Sequence, residues 1–145
     1  MRKNTESKKI MFFARDPGSA NCIMPICQKL QKASHIQADM WSKDFVFSQY
    51  KKAGISVRDI NTEISSISES SIDDFFSKEN YHMVVTGTTC YDTNDTDKLL
   101  WKAARRHGAY SIAILDQWLN YRCRFSMKSK RLNEEKMVFP DIICV

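Results

Sequence analysis

Apolar residues occur along the chain in short continuous runs separated by amphipathic stretches. Ile10 to Ala14 (IMFFA) is one such run, the pattern of a strand covered on both faces. After the turn Arg15-Asp16-Pro17-Gly18-Ser19, the spacing predicts a helix from about Ala20 to Lys32. Ile36, Ala38 and Met40 alternate with Gln37 and Asp39 up to Trp41, as in a strand with one wetter face. Ser42 fits an N-cap, and Phe45, Val46, Gln49, Tyr50 and Ala53 fall near one helical face that Gly54 ends.

The second half repeats the rhythm. Ser56 to Ile60 fits a short strand, and the serine-rich stretch Ser65 to Ser71 fits a loop. Ser71 with Asp74 resembles a capping box, with Ile72, Phe75 and Phe76 as the buried side of a brief helix. His82 to Thr86 is a strand ending at Gly87. Asn94 and Asp97 open the clearest helix, with Leu99, Leu100, Ala103 and Ala104 inward, Lys98, Lys102, Arg105 and Arg106 outward, and Gly108 as its stop. Arg105, Arg106 and His107 sit in its last turn, where positive charge suits the helix dipole. Tyr110 to Leu115 and Asp141 to Val145 complete the strands.

Five or six short strands alternating with helices imply βαβ units with right-handed crossovers. The expected fold is α/β: a doubly wound, mainly parallel sheet with helices on both faces, Rossmann-like, and with the strand near Ile10 central. One domain covers 1–145, residues 1–8 forming a disordered basic tail, and no internal repeat is visible.

Composition narrows the class without naming an activity. The chain has 145 residues, 43% hydrophobic and 27% charged, enough to bury roughly 70% of its unfolded surface without metals or disulfides. No apolar run approaches the ~20 residues of a membrane span, so a cytoplasmic protein is expected. Five cysteines (Cys22, Cys27, Cys90, Cys123, Cys144) lack any metal-ligand spacing and are expected to be reduced packing residues. The net charge of +5 is local: residues 101–136 carry nine basic and three acidic side chains, whereas 10–100 carry nine and twelve. Such a segment serves phosphates or nucleic acid, or is simply a solvated face.

In an open parallel sheet, ligands bind beyond the carboxyl ends of the strands. The first candidate loop, Asp16 to Asn21, would aim Gly18, Ser19 and nearby N–H groups at an anion, although it is neither GxGxxG nor a Walker sequence. In the second, Thr86 to Asp92, Gly87 would let a ligand approach while Thr88 and Thr89 offer hydroxyls. The third runs from Asp116 through Trp118, Asn120, Tyr121, Arg122 and Arg124 to Lys128, Lys130 and Arg131, and its aromatic and arginine residues could stack on a sugar or base and pair with phosphate. For each loop the alternative is structural: a tight turn, hydroxyls bonded to their own backbone, and rings packed over the sheet edge. Asp16 and Asp116 both follow strands and are the candidate catalytic pair, or else backbone caps.

Hydrolase and zinc motifs do not occur, so no metal site and no cofactor is expected. His35 and His82 precede strands, on the wrong edge for this site, and His107 ends a helix; all three are expected to be structural or surface residues.

The opening strand, the Arg15-Asp16-Pro17 turn and the helix with Ile23-Met24-Pro25 resemble the N-terminal Rossmann-like domain of bacterial GT-B glycosyltransferases and their relatives, the UDP-N-acetylglucosamine 2-epimerases. Thr86 to Asp92, Leu99 to Ala104 and Leu115 to Tyr121 are similar to glycosyltransferase-like members. The pattern departs where Asp16 precedes Pro17 instead of following the turn. The resemblance implies a nucleotide-sugar or phosphosugar ligand and a site shared with a second Rossmann-like domain. That domain is not seen in these 145 residues, so a second chain or a missing C-terminal Rossmann-like domain would complete the site, and the isolated chain is expected to be inactive.

Two readings stay open. One is the acceptor-side half of a sugar-nucleotide-dependent glycosyltransferase or epimerase-like protein in polysaccharide or surface-glycan biosynthesis. The other is a flavodoxin-like binding or regulatory module for an anionic small molecule. The segment from Arg122 to Arg131 matches no nucleic-acid-binding module, which argues against that partner.

Overall fold

The computed structural model describes residues 6–90, 95–128 and 135–145. Its frame is a six-stranded sheet of β1 (Lys8–Ala14), β2 (Ile36–Ser42), β3 (Arg58–Asp59), β4 (Met83–Thr86), β5 (Tyr110–Ile114) and β8 (Ile142–Cys144). The strand order is β3-β2-β1-β4-β5-β8, all parallel. The expected Rossmann-like α/β fold is therefore present, with β1 inside the sheet.

The continuous apolar run of β1 is explained by layers on both sides. Met11 and Phe13 point into one cluster with Trp41, Phe75, Phe76, Leu100 and Trp101. Ile10, Phe12 and Ala14 point into the other, with Ala20, Ile23, Cys27, Val46 and Tyr50. Helices α1 (Pro17–Leu30) and α2 (Asp44–Lys52) cover this second face. The short α3 (Ile60–Glu63), α4 (Glu69–Glu79) and α5 (Thr96–Arg106) cover the first. Large rings with polar atoms are satisfied inside. Trp41 Nε1 donates to Tyr81 Oη at 2.7 Å, Tyr81 Oη donates to Asp39 at 2.9 Å, and Trp101 Nε1 donates to Thr86 Oγ1 at 2.9 Å.

Helix boundaries follow local chemistry, with shifts from the sequence pattern. The helix α1 starts at Pro17, whose fixed φ and missing N–H suit a first turn. Pro25 lies inside it on the exposed side with Asn21, so the carbonyl deprived of a partner faces water. Ser42 is not the cap of α2: it ends β2 and donates its hydroxyl to Ala14 O at 2.7 Å, leaving Lys43 at the N-cap. The capping box of α4 is Ser68 with Ser71, one turn earlier than Ser71 with Asp74. Gly54 and Gly108 end their helices with φ of 72° and 69°, as expected of left-handed caps.

Three further expectations are corrected here. Lys8, placed in the expected tail, belongs to β1; residues 1–5 lie outside the described residues. The segment between β5 and β8 is not a plain loop. It holds the one-turn helix α6 (Tyr121–Arg124) and an antiparallel pair, β6 (Ser126–Lys128) with β7 (Glu135–Met137). Lys130 and Arg131 lie outside the described residues. Finally, the cysteines are not all reduced: Cys90 and Cys123 form a disulfide, while Cys22, Cys27 and Cys144 are free.

Candidate functional site

The chain winds outward from β1 through α1 to β2 and β3, then crosses back to β4 and winds the other way. The connections after β1 and β4 thus part at the carboxyl edge, leaving a crevice between them. A cleft of about 340 Å³ occupies it, lined by Asp16, Pro17, Gly18, Thr88, Cys90, Asp116, Gln117, Asn120 and Arg124. Its three walls are the β1–α1 turn, the β4–α5 loop and the segment from β5 into α6.

The first wall is the start of α1. Asp16 occupies the N-cap but its carboxylate makes no capping hydrogen bond, and no acidic residue lies in the first turn. The amino end of the helix is therefore left without a carboxylate partner from its own turn. Behind it, Ser19 is buried, its hydroxyl has no hydrogen-bond partner among the described residues, and it sits where a side chain on Gly87 would be.

The second wall is fastened from below. Asp97, in the first turn of α5, accepts from Thr89 N at 2.8 Å and from Thr89 Oγ1 at 3.1 Å. Lys98 Nζ donates to Thr89 O at 2.6 Å. Both Asp97 and Lys98 are buried, which corrects the outward placement of Lys98: the loop folds over the helix end and takes its ammonium as a donor. Burial pushes the Asp97 carboxyl up, while Lys98 and the N–H groups of Thr89 and Lys98 pull it down.

Arg124 joins the second and third walls. Its Nη1 donates to Thr88 O at 3.0 Å and Thr88 Oγ1 at 2.8 Å and pairs with Asp116 Oδ1 at 3.3 Å. Its Nε donates to Leu119 O at 2.9 Å and Nη2 to Gln117 Oε1 at 3.3 Å. The guanidinium thus holds the loops more than it projects into solvent. On the same side, Asp116 lies against Gly18, filling the space a Cβ would take.

Of the candidate site residues, Asp16, Gly18, Thr88, Asn120, Asp116 and Arg124 meet at the cleft. Gly87, Ser19 and Thr89 are buried just behind it. Asn21 is exposed on α1 and outside the lining, and Trp118, Tyr121 and Arg122 are exposed near the third wall. Tyr91, Asp92 and Asn94 lie outside the described residues. Pro17, Cys90 and Gln117 complete the lining and were not singled out from the sequence, although each adjoins a residue that was.

Electrostatically the cleft is acidic at its centre. Burial raises the Asp16 carboxyl above its ordinary value; Arg15 and Arg124 oppose this, whereas Asp97 and Asp116 add to it. A carboxyl so placed keeps its proton to a higher pH than a surface aspartate does. Carboxylates, amides and a threonine hydroxyl facing one space form a natural seat for a ligand rich in hydroxyl groups.

A second, more apolar cavity of about 530 Å³ lies at the opposite edge of the sheet, where His35, His82, His107 and Tyr110 line it. His82 Nδ1 accepts from Lys9 N at 3.2 Å, and His107 Nε2 lies 3.2 Å from Asp73. None of the described residues forms a metal-ligating cluster, and none of the described helices is long and apolar enough to cross a membrane.

No protein-family model matches the chain, and no curated protein does. Solved structures do. The UDP-GlcNAc 2-epimerase from Neisseria meningitidis, bound to UDP-GlcNAc, matches with a TM-score of 0.56 at 15% identity, over 73% of this chain and 32% of that one. MurG from Acinetobacter baumannii matches with a TM-score of 0.52 at 14% identity, over 74% and 34%. The UDP-GlcNAc 2-epimerase from Methanocaldococcus jannaschii gives 0.51 at 14%, over 73% and 31%. The chain has a GT-B-like Rossmann fold. It spans about a third of the length of these structures, and the likeness is one of fold.

Proposed function

We propose that this domain is the acceptor-side half of a sugar-nucleotide-dependent glycosyltransferase or epimerase-like protein acting in polysaccharide or surface-glycan biosynthesis. The observation that carries this reading is the pairing of Asp16 and Asp116 in one cleft at the crossover of the sheet. Sugar hydroxyls are donors, and buried carboxylates are their strongest acceptors. Asp116, held by Arg124, orients the ligand; Asp16, with its raised pKa, takes or returns the proton of a reacting hydroxyl. Asn120, Gln117 and Thr88 complete the polar rim. Trp118 and Tyr121 stand beside the mouth, where an aromatic face covers a sugar ring. A second Rossmann-like unit would supply the nucleotide-binding half, and the cytoplasm is the compartment in which nucleotide sugars would reach it.

One observation favours the anion-binding module instead: the uncapped start of α1 with the unpartnered Ser19 hydroxyl beneath it. The two readings separate by competition. Titration with UDP-GlcNAc, N-acetylglucosamine 1-phosphate, free N-acetylglucosamine and inorganic phosphate should give binding that needs the sugar and is weakened by Asp116→Asn. Binding of phosphate alone with equal affinity, unaffected by Asp116→Asn, would favour the second reading. Absence of binding by every sugar probe would remove the first.

A further inference from the structure

The disulfide lies at the cleft itself. Cys90 is one of the lining residues, at the end of the second wall; Cys123 precedes Arg124 in the one-turn helix α6 of the third. The two cysteines are 33 positions apart and both are partly exposed. From these placements we infer that the Cys90–Cys123 bridge is a redox-controlled clamp that sets the width and order of the cleft. The inference rests on the cleft being the ligand site.

A helix of one turn has almost no stability of its own, so α6 is held by tertiary contacts. Among the described residues these contacts include the Arg124 hydrogen bonds to the β4–α5 loop, the rings around Phe125, and the disulfide. Thr89 is tied to Asp97, and Thr88 to Arg124, while the bridge ties the next residue, Cys90, to α6. Opening the bridge frees Cys90 from α6 and leaves the Arg124–Thr88 hydrogen bonds to carry more of the contact between the walls. Access to the bond exists because Cys90 faces the open cleft.

The step is a thiol–disulfide exchange. A thiolate of an external dithiol attacks one sulfur of the bridge, the other leaves as a thiolate and takes a proton, and the second thiol resolves the mixed disulfide. The protein gains two electrons and two protons; the dithiol loses them and becomes a disulfide. Bridges that persist by virtue of compartment alone are a feature of oxidising surroundings, whereas those in a reducing cytoplasm are transient and regulatory. A cytoplasmic protein with this bridge is therefore one whose ligand affinity follows the thiol balance of the cell.

The test uses the whole chain, oxidised and after reduction with dithiothreitol, with the two states verified by mass after alkylation. Amide hydrogen exchange is read at Thr88 to Cys90 and at Tyr121 to Arg124, and UDP-GlcNAc affinity by calorimetry. The expected result is faster exchange confined to these segments and affinity lowered at least fivefold. Cys90→Ser/Cys123→Ser should match the reduced protein and ignore the reductant. Unchanged exchange in fully reduced wild type overturns the clamp, whether or not the double variant folds. Faster exchange with affinity altered less than twofold also overturns it as a control of binding. If the oxidised protein binds no sugar probe, the ligand reading fails, while the exchange data still judge the clamp.

Discussion

Gly18 and Asp116 occupy one space: the Asp116 carboxylate lies where a side chain on Gly18 would begin. The contact joins the start of α1 to the loop after β5 and places Asp116 at the head of the helix. Gly18→Ala should thus displace the Asp116 carboxylate from Arg124. Because the displaced group is the end of a side chain, chemical denaturation should register less than about 1 kcal/mol, while affinity for a sugar ligand falls about tenfold or more, the scale of one charge-assisted contact. Ligand binding unaffected by this change would separate Asp116 from the site.

Gly87 behaves differently. A Cβ there would overlap the Oγ and Cβ of buried Ser19, and lie 3.6 Å from its Cα, so no flexible end can swing aside. Gly87→Ala should cost about 1 to 3 kcal/mol by overpacking, measured by urea unfolding. Adding Ser19→Gly, which vacates the space, should restore part of the loss; a double variant as unstable as the sum of both changes would deny the contact.

Asp16 gives a pH signature. Its pKa is raised from the ordinary 3.8 in the folded state, first by burial, so the fold binds this proton more tightly than the unfolded chain does. The stability linked to it is fully present below that ordinary value and is lost as pH rises through the folded-state value. Asp16→Asn should therefore stabilise the protein at pH 7 and give no such gain below about pH 4. Unfolding curves of both proteins at the two pH values decide it, and a destabilised variant at pH 7 would contradict the burial argument.

Arg122 and Arg124 should separate sharply. Arg124 is buried and serves Thr88, Gln117, Leu119 and Asp116, so Arg124→Ala should cost on the order of 3 kcal/mol and loosen both loops. Arg122 is exposed, and its replacement by Ala should cost about 1 kcal/mol or less. Thermal melts that fail to rank the two in this order would reject the clamp assigned to Arg124.

The same pair shows where sequence reasoning stops. Residues two apart on a helix point about 200° away from each other, and a one-turn helix carries no periodic pattern to say which side is inward. The sheet was legible because Ile10 to Ala14 and the apolar strands after it must be covered on both faces, and their alternation with helices leaves few topologies. Asp16, Gly18, Thr88 and Asp116 were legible for the same reason: the fold dictates which strand ends converge. Lys98 was not, because helical periodicity places it outside, whereas the folded-over Thr89 and the Asp97 carboxylate take its ammonium inside. Cys90 and Cys123 carry no spacing signal, since their partnership depends on two loops meeting in space. The β6–β7 pair, within a polar stretch, likewise lacks an apolar alternation to announce it.

Under the proposed function, ligand enters at the carboxyl edge of the sheet and not at the larger, histidine-lined cavity on the opposite edge. Amide chemical-shift mapping with UDP-GlcNAc distinguishes the two. Perturbations are expected at Gly18, Ser19, Thr88 to Cys90 and Gln117 to Asn120, with His35, His82 and Tyr110 unmoved. Shifts clustered at His35, His82, His107 and Tyr110, or none at saturating ligand, would contradict it.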